Sequence, residues 1–444
     1  MMSLALLVFS AVSIPLPKWP QQYHLKGTWN IPYWQIRQPF VVETDNIKGY
    51  QAELAYGGIS HTINVFKKRK FTIQTSPKGL DCFFTEKDPK AEDSFISYLP
   101  SGDDWKYIGE QVVLGKPAHA WRRDVESAGW YYVFYTDMNM VPLRYFQHGQ
   151  SIRHSHPADY IFDIDEFGPT ANQSAFMVPT DTCRNMSADP GPQVFANDIS
   201  TPKKAVDQTK CPVMTPTGIE QVPTEFSWRQ VKGVVPTVRD QANCGSCWAQ
   251  AASEAISSQF SIRKRGNVTV SVQQIIDCVW VDTSMACAGG EGFDAFDFLL
   301  QKKIPIGTEE EYPYLGVSGY CQQKIDNQIG YVTGCHQVNP NDYVSLKKAL
   351  FKFGPLMVYI KAGFTEFVQY KKGAFNNPKC KVTLNELDHG VLLTGWKIVD
   401  GVETWEIMNS WSTMWGDEGF AYIAAGENDC GVSLMALFPD VEII

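Results

Sequence analysis

The sequence predicts an α+β protein in two parts, a mostly antiparallel β domain followed by a mixed unit that carries the chemistry. Three observations predict it. Short runs of aromatic and β-branched residues recur between turn signals through the first part of the chain. A proline-rich break follows them. Beyond the break, helix-spaced apolar residues follow Cys247 and an apolar strand follows His389.

The front part spans residues 14–185. Its strand candidates include Phe40-Val41-Val42, Phe71-Thr72-Ile73, the run from Trp130 to Tyr135, and Tyr160-Ile161-Phe162. Gly57-Gly58, Pro77-Lys78-Gly79 and Ser101-Gly102-Asp103 punctuate them. Regular short strands with such turns predict an antiparallel barrel or sandwich. No catalytic constellation is visible here. His154-Ser155-His156 reads as a solvated loop rather than a metal pair, because no cysteine or further histidine sits nearby at ligand spacing. Residues 186–222 carry Pro190, Pro192, Pro202, Pro212 and Pro216, which break helix and strand alike, so this stretch reads as a linker. Residues 223–444 form the second unit.

The chain begins with an apolar run, Leu4 to Phe9, followed by Ala11-Val12-Ser13, and residues 1–13 read as a secretory signal. No later apolar run reaches the ~20 residues that span a bilayer, so no membrane span is expected. Among 444 residues, 44% are apolar and 20% charged, the balance of a soluble globular protein with enough material for a core. A net charge of −9 without a basic block argues against nucleic acid as a partner. The 11 cysteines are an odd number, which in a secreted chain leaves one thiol outside the pairing. Three Asn-x-Ser/Thr tripeptides, at Asn172, Asn185 and Asn267, fit the same compartment. The expected location is the secretory pathway, ending in a lysosome or vacuole or outside the cell.

The chemistry concentrates at Gln241-Ala242-Asn243-Cys244-Gly245-Ser246-Cys247-Trp248. Trp248, Ala252, Ala255, Ile256 and Phe260 fall at helical spacing, with Gly266 as a stop, so Cys247 opens a helix. The N–H groups and positive dipole end there favour a thiolate over a thiol. The thiolate needs a base, and His389 stands at the start of an apolar strand far downstream. The amide oxygen of Asn409 can accept the other imidazole N–H and fix the ring's tautomer, with Trp411 covering that bond. Gln241 can supply a side-chain N–H, beside the backbone N–H of Cys247, to an oxyanion. The expected catalytic set is therefore Cys247, His389, Asn409 and Gln241.

Cys244-Gly245-Ser246-Cys247-Trp248, with His389 and Asn409-Ser410-Trp411 in that order, resembles the papain-type cysteine peptidases, of which the first motif is a signature. The resemblance covers essentially all of 223–444. Phe226-Ser227-Trp228-Arg229, Ile275-Ile276-Asp277-Cys278, Cys287-Ala288-Gly289-Gly290, Glu311-Tyr312-Pro313-Tyr314 and Trp415-Gly416-Asp417-Glu418-Gly419-Phe420 carry it further. It implies a two-lobed catalytic domain, a helical left lobe and a β-barrel right lobe, acting as an endopeptidase on peptide and protein substrates without metal or cofactor. It also implies that Gly289, Gly290, Gly292, Tyr359, Leu387, Trp411 and Met435 face substrate, and that disulfides join Cys244 to Cys287, Cys278 to Cys321 and Cys380 to Cys430. Cys82 and Cys183, the only cysteines of the front domain, are then expected to pair. Cys211 and Cys335 remain, and by elimination are expected to tether linker to peptidase. The two-part layout, with Lys26-Gly27-Thr28-Trp29-Asn30-Ile31-Pro32-Tyr33, resembles the haemocyte-type cathepsins of insects.

Two departures from the resemblance carry expectations of their own. The linker is too short and too rich in proline for the helical prosegment of cathepsin L-type precursors, so the chain's own front domain is expected to act as inhibitor or as retained subunit. Gln250 stands where the family places phenylalanine, and if buried it needs a hydrogen-bond partner. Two rival readings are an inactive homologue that binds peptides, and a ligand-binding front module with an attached protease.

Overall fold

The computed structural model describes residues 13–76, 79–87, 95–153, 156–178, 183–185, 210–264, 266–281, 283–322, 324–426 and 429–444. The signal-like run, His154 and residues 186–209 of the linker lie outside them.

The front half is one twelve-stranded sheet. Its strands are β1 (Gln22–Ile31), β2 (Ile36–Asp45), β3 (Tyr50–Ala55), β4 (Ser60–Val65), β5 (Arg69–Ser76), β6 (Gly79–Glu86), β7 (Lys106–Val113), β8 (Lys116–Val125), β9 (Trp130–Asp137), β10 (Pro142–Gln150), β11 (Pro157–Gly168) and β12 (Arg184–Asn185). The spatial order β12-β6-β5-β4-β3-β2-β1-β11-β10-β9-β8-β7 is two meanders joined where the first strand pairs with the eleventh. Alternation explains the buried face. In β1, Tyr23, Leu25, Trp29 and Ile31 point inward while His24, Lys26, Thr28 and Asn30 are more exposed. On β11, Ala158, Tyr160, Phe162 and Ile164 do the same. The Trp29 ring stacks with Tyr160 and Phe162 at 5.6 and 5.7 Å. The buried Arg153 guanidinium lies 4.3 Å over Trp29 and ion-pairs with Glu53. An uncompensated charge there would be costly, and the partner carboxylate with the aromatic face supplies the compensation.

The second half has two lobes. In the helical lobe, α1 (Cys247–Lys264), α2 (Val272–Cys278) and α3 (Gly292–Lys302) pack together beside a short hairpin of β15 (Trp280–Val281) and β16 (Ser284–Met285). The other lobe is a nine-stranded sheet. It is built from β13 (Val213–Met214), β14 (Phe226–Ser227), β17 (Gly330–Val338), β18 (Leu356–Ile360), β19 (Ala374–Phe375), β20 (His389–Val399), β21 (Val402–Met408), β22 (Phe420–Ala424) and β23 (Ala436–Ile443), with α4 (Tyr343–Phe353) against β17 and β20. The spatial order is β13-β17-β23-β18-β20-β21-β22-β19, with β14 on β20. Helix α1 is buried from Trp248 through Ser261 and touches β18, β20 and β23. It is the wall between the lobes. Its small residues Ala249, Ala251, Ala252 and Ala255 let both sides approach, and fully burying Trp248 or Phe260 is worth roughly 1.5–3 kcal/mol each.

The two halves share one continuous buried core. Tyr33 Oη donates to Val238 O at 2.9 Å, Tyr56 Oη to Leu315 O at 3.2 Å, and Ser318 Oγ to Gln74 Oε1 at 2.8 Å. Phe83 is buried against Met285 and Ala288. The linker's described end is not wholly irregular, as its prolines had suggested. Between Pro212 and Pro216, Val213 and Met214 add a two-residue strand to the edge of β17. At a sheet edge, a short stretch free of proline can still supply the ladder's N–H groups.

The solvated-loop reading of His156 is corrected. Its imidazole is buried and lies 2.9 Å from Asp240 of the second half. The sequence shows no partner because the partner arrives only when the halves dock.

Candidate active site

Cys247 is the first residue of α1 and is partly exposed. The first N–H groups of a helix have no acceptor within it, so they and the dipole face the thiol. The loop before it is tightly held. Gly245 N donates to Cys287 O at 3.0 Å, and a disulfide joins Cys244 to Cys287. Tyr314 Oη donates to Gln241 O and shares a 2.7 Å hydrogen bond with Ser246 Oγ, which gives the Glu311–Tyr314 motif a supporting role under the loop.

His389 opens β20 and is 2% exposed. Gly390 backs directly onto the helix start: a Cβ there would lie 3.2 Å from Cys247 O. Asn409 Oδ1 accepts from Ser410 N at 2.8 Å, which orients its amide. That oxygen also lies 2.7 Å from His389 Nε2, so Nε2 is the donor. Nδ1, which has no hydrogen-bond partner among the described residues, is then the basic nitrogen. The indole of Trp411 covers the pair, 4.8 Å from the imidazole. Burial pushes the His389 imidazole down to about 4, opposed by its bond to Asn409 and by Asp388 and reinforced by His156.

Gln241 is buried beside them. Its Nε2 donates to Cys244 O at 3.1 Å, and its Oε1 accepts from Ser410 Oγ at 2.8 Å. One amide proton remains for another acceptor. Ser410, in the quoted Asn-Ser-Trp triplet, was not singled out from sequence, yet it fixes both amides.

The expected substrate strip follows. Gly289 has φ 111°, and a Cβ on Gly290 would meet the Trp248 indole and Ser284 Oγ. Only glycine leaves that backbone close to its neighbours. Gly292, Tyr359, Leu387 and Met435 are brought together and buried. Gly292 N donates to Tyr359 Oη, Tyr359 N to Met435 O at 3.4 Å, and a Cβ on Gly431 would strike Leu387. Glu291, absent from the sequence reading, stands beside the Tyr359 hydroxyl.

Disulfides also join Cys278 to Cys321, Cys380 to Cys430, Cys82 to Cys183 and Cys211 to Cys335, leaving Cys247 outside the five. Among the described residues no group of three or more His, Cys, Asp or Glu is placed to hold a metal ion. Among the described residues no helix is long and apolar enough to cross a membrane.

Gln250 is buried. It reaches the Tyr314 hydroxyl with one end of its amide, while Oε1 has no partner among the described residues. One turn on, Glu254 is buried and raised to about 8 by desolvation, against the opposing field of Arg239.

Residues 222–440 match the papain family of cysteine proteases. Cysteine proteinase 2 of Entamoeba histolytica is 33% identical over 222 residues, covering 49% of this chain and 69% of that protein. The chain belongs to the papain family of cysteine proteases. Oryzain beta chain of Oryza sativa subsp. japonica is 35% identical over 227 residues, 50% of this chain and 47% of the relative. Human cathepsin L2 is also 35% identical over 227 residues, 50% and 66% respectively. The chain thus spans about half the length of oryzain beta chain and 62% of a pro-cathepsin H of Medicago truncatula. In three dimensions the papain-family fold matches digestive procathepsin L2 proteinase from Tenebrio molitor larval midgut, with TM-score 0.51, 28% identity, and coverage of 61% of this chain and 82% of that one.

Proposed function

We propose that the chain is a cysteine endopeptidase. The observation that carries the reading is the orientation of His389. Asn409 holds Nε2, so the basic Nδ1 is left for the thiol at the head of α1. His389 Nδ1 takes the proton of the Cys247 thiol, the sulfur attacks the scissile carbonyl carbon, and the carbonyl oxygen takes the negative charge. The Gln241 side-chain N–H and the Cys247 backbone N–H stabilise it. As the tetrahedral species collapses, the C–N bond breaks and His389 delivers the proton to the leaving amine. Water, deprotonated by His389, then attacks the thioester. The acid is released and the Cys247–His389 pair is restored. No electron transfer is involved. The experiment is active-site titration of the full chain with a thiol-directed peptidyl epoxide, followed by mass mapping. Labelling at Cys247 with matching loss of peptidase activity is expected, and a folded protein left unlabelled sinks the reading.

The front half is read as a retained subunit. The shared core and the hydrogen bonds from Tyr33, Tyr56 and Gln74 support retention over a disposable cover. The described linker, residues 210–222, adds a strand to β17 and is tied to it through Cys211–Cys335. Residues 186–209 of the linker lie outside the described residues. The disulfides fit synthesis in the secretory pathway, and the exposed Asn172, Asn185 and Asn267 fit glycan attachment there. A lysosomal, vacuolar or extracellular destination is part of the same proposal.

A further inference from the structure

The end of the β1–β11 pair is where the front half meets the catalytic loops. Tyr33, just after β1, holds Val238 O. Trp34 lies under the Arg239 guanidinium at 6.0 Å. His156, the residue before β11, is 3% exposed. Its Nε2 lies 2.9 Å from Asp240 Oδ1, and its ring is parallel to the Trp411 indole, 6.1 Å away and 10° apart.

The two residues of the second half that His156 touches, Asp240 and Trp411, are joined to the catalytic groups. Asp240 precedes Gln241. It is fully buried, its Oδ1 accepts from Ala242 N at 2.7 Å, and its Oδ2 has no hydrogen-bond partner among the described residues. Asp240 and Trp411 face each other in an antiparallel bridge, with Gln241 N donating to Ser410 O and Ser412 N to Arg239 O, each at 2.9 Å. This two-strand clamp sets the oxyanion glutamine against the serine that orients its amide. Trp411, the other half of the clamp, lies over His389.

We infer that His156 is a positioning residue for the papain-type site, supplied by the front half. The argument is electrostatic and geometric. Asp240 Oδ1 has one backbone N–H and Oδ2 has no hydrogen-bond partner among the described residues, so this fully buried carboxylate is under-compensated, and the imidazole edge 2.9 Å from Oδ1, within ion-pair reach though not aligned as a hydrogen bond, supplies a field that water cannot. Without it, Asp240 would draw in water or turn away, and the clamp that sets Gln241 would loosen. Donors in such a site act only when held within about half an ångström of the positions that place them at hydrogen-bond distance, roughly 2.7–3.1 Å, from the oxyanion. His156 touches neither substrate nor sulfur. It acts through Asp240 and Trp411. The front half is then a working part of the site, and its removal slows the enzyme.

This rests on the peptidase reading above, and the test separates the two. Full-length His156→Phe keeps the stacked ring and removes the N–H. Full-length His156→Gln keeps an N–H at similar reach and removes the ring. Each is measured for kcat and KM on a short fluorogenic peptide amide, for the rate of Cys247 alkylation by iodoacetamide, and for its melting temperature. Alkylation needs the thiolate but no oxyanion hole. His156→Phe is expected to lower kcat about tenfold, with KM and alkylation within about threefold of wild type; His156→Gln is expected to recover most of the loss. A Phe variant with wild-type kcat overturns the inference and leaves the peptidase reading standing. So does a Gln variant as slow as Phe while both melt like wild type. A Phe variant that loses alkylation and melting temperature along with kcat assigns the contact to folding and overturns it too. A wild-type chain that hydrolyses no peptide sinks both.

Discussion

The backbone N–H of Gly292, at the start of α3, donates to the hydroxyl of Tyr359 on β18. One hydrogen bond therefore crosses from the helical lobe to the sheet lobe at the pocket expected to receive the substrate residue two before the cut. The phenol occupies space that a smaller residue would leave open, and its hydroxyl is buried. Tyr359→Val is expected to raise the kcat/KM ratio for leucine over alanine at that position roughly tenfold, the scale of a few methylenes of fit. In the wild type, leucine is expected over arginine, because Met435 and Leu387 line the pocket with apolar surface. A peptide library profiled on both proteins checks this. An unchanged ratio would place Tyr359 outside the pocket.

Cys247→Ala is expected to remove at least a thousandfold of turnover without unfolding the chain. Asn409→Ala is expected to be milder, about ten- to a hundredfold, since the imidazole keeps its place under Trp411 while its tautomer is no longer enforced. Turnover of both variants, with circular dichroism to verify the fold, decides the ranking. An Asn409 variant as inert as the Cys247 variant would contradict it.

Stability should be greater in mild acid than at neutral pH. Burial raises Glu254 to about 8 and Asp277 to about 6. For each, the folded state holds a proton that the unfolded state has already released. The contribution is complete below the unfolded carboxyl range near 4 and is lost as pH rises through the folded value. His389, lowered to about 4, works in the opposite sense and costs stability only as pH falls below its unfolded value near 6.5. Well above that value Asp277 and His389 no longer change, whereas Glu254 does. Denaturant midpoints of wild type and Glu254→Gln at pH 5 and pH 8 test this. The wild type should lose about 3 kcal/mol over that interval, and the variant clearly less.

Internal cleavage of an unblocked protein substrate is expected. The sequence has no histidine between His156 and His336, so the helical lobe offers no histidine pair to hold a substrate's terminal carboxylate as some exopeptidases do. The structure adds that His156 itself stands near the catalytic pair, behind Trp411. Mass spectrometry of digestion products decides the matter: dipeptides or single residues as the main early products would exclude an endopeptidase.

The catalytic half was legible because its chemistry is local in sequence. A helix opening on Cys247, a strand opening on His389 and an amide before Trp411 are short patterns with physical reasons attached, and the structure brings them together. Strands around Phe40, Phe71, Trp130 and Tyr160 were legible from runs of aromatic and β-branched residues between turn signals. Their order was not, because pairing β1 with β11 is a long-range choice that no turn encodes. His156 was misread for the same reason. A histidine between a serine and a proline looks like loop until Asp240 is docked against it. Glu254 also escaped, since a glutamate in a helix reads as an exposed face unless both neighbouring lobes are known.

The bridge from Cys211 to Cys335 gives the position of any nick in the linker a meaning. A cut between Asn185 and Cys211 would leave a front fragment whose own bridge, Cys82 to Cys183, lies wholly within it. The two pieces would then adhere only through their interface, and a denaturing gel would part them with or without reductant. A cut between Cys211 and Pro223 would leave the same pieces sewn together until reductant is added. Two proteolytic events a few residues apart would thus produce, from one gene product, either a dissociable pair whose activity depends on concentration or a covalent molecule whose activity does not.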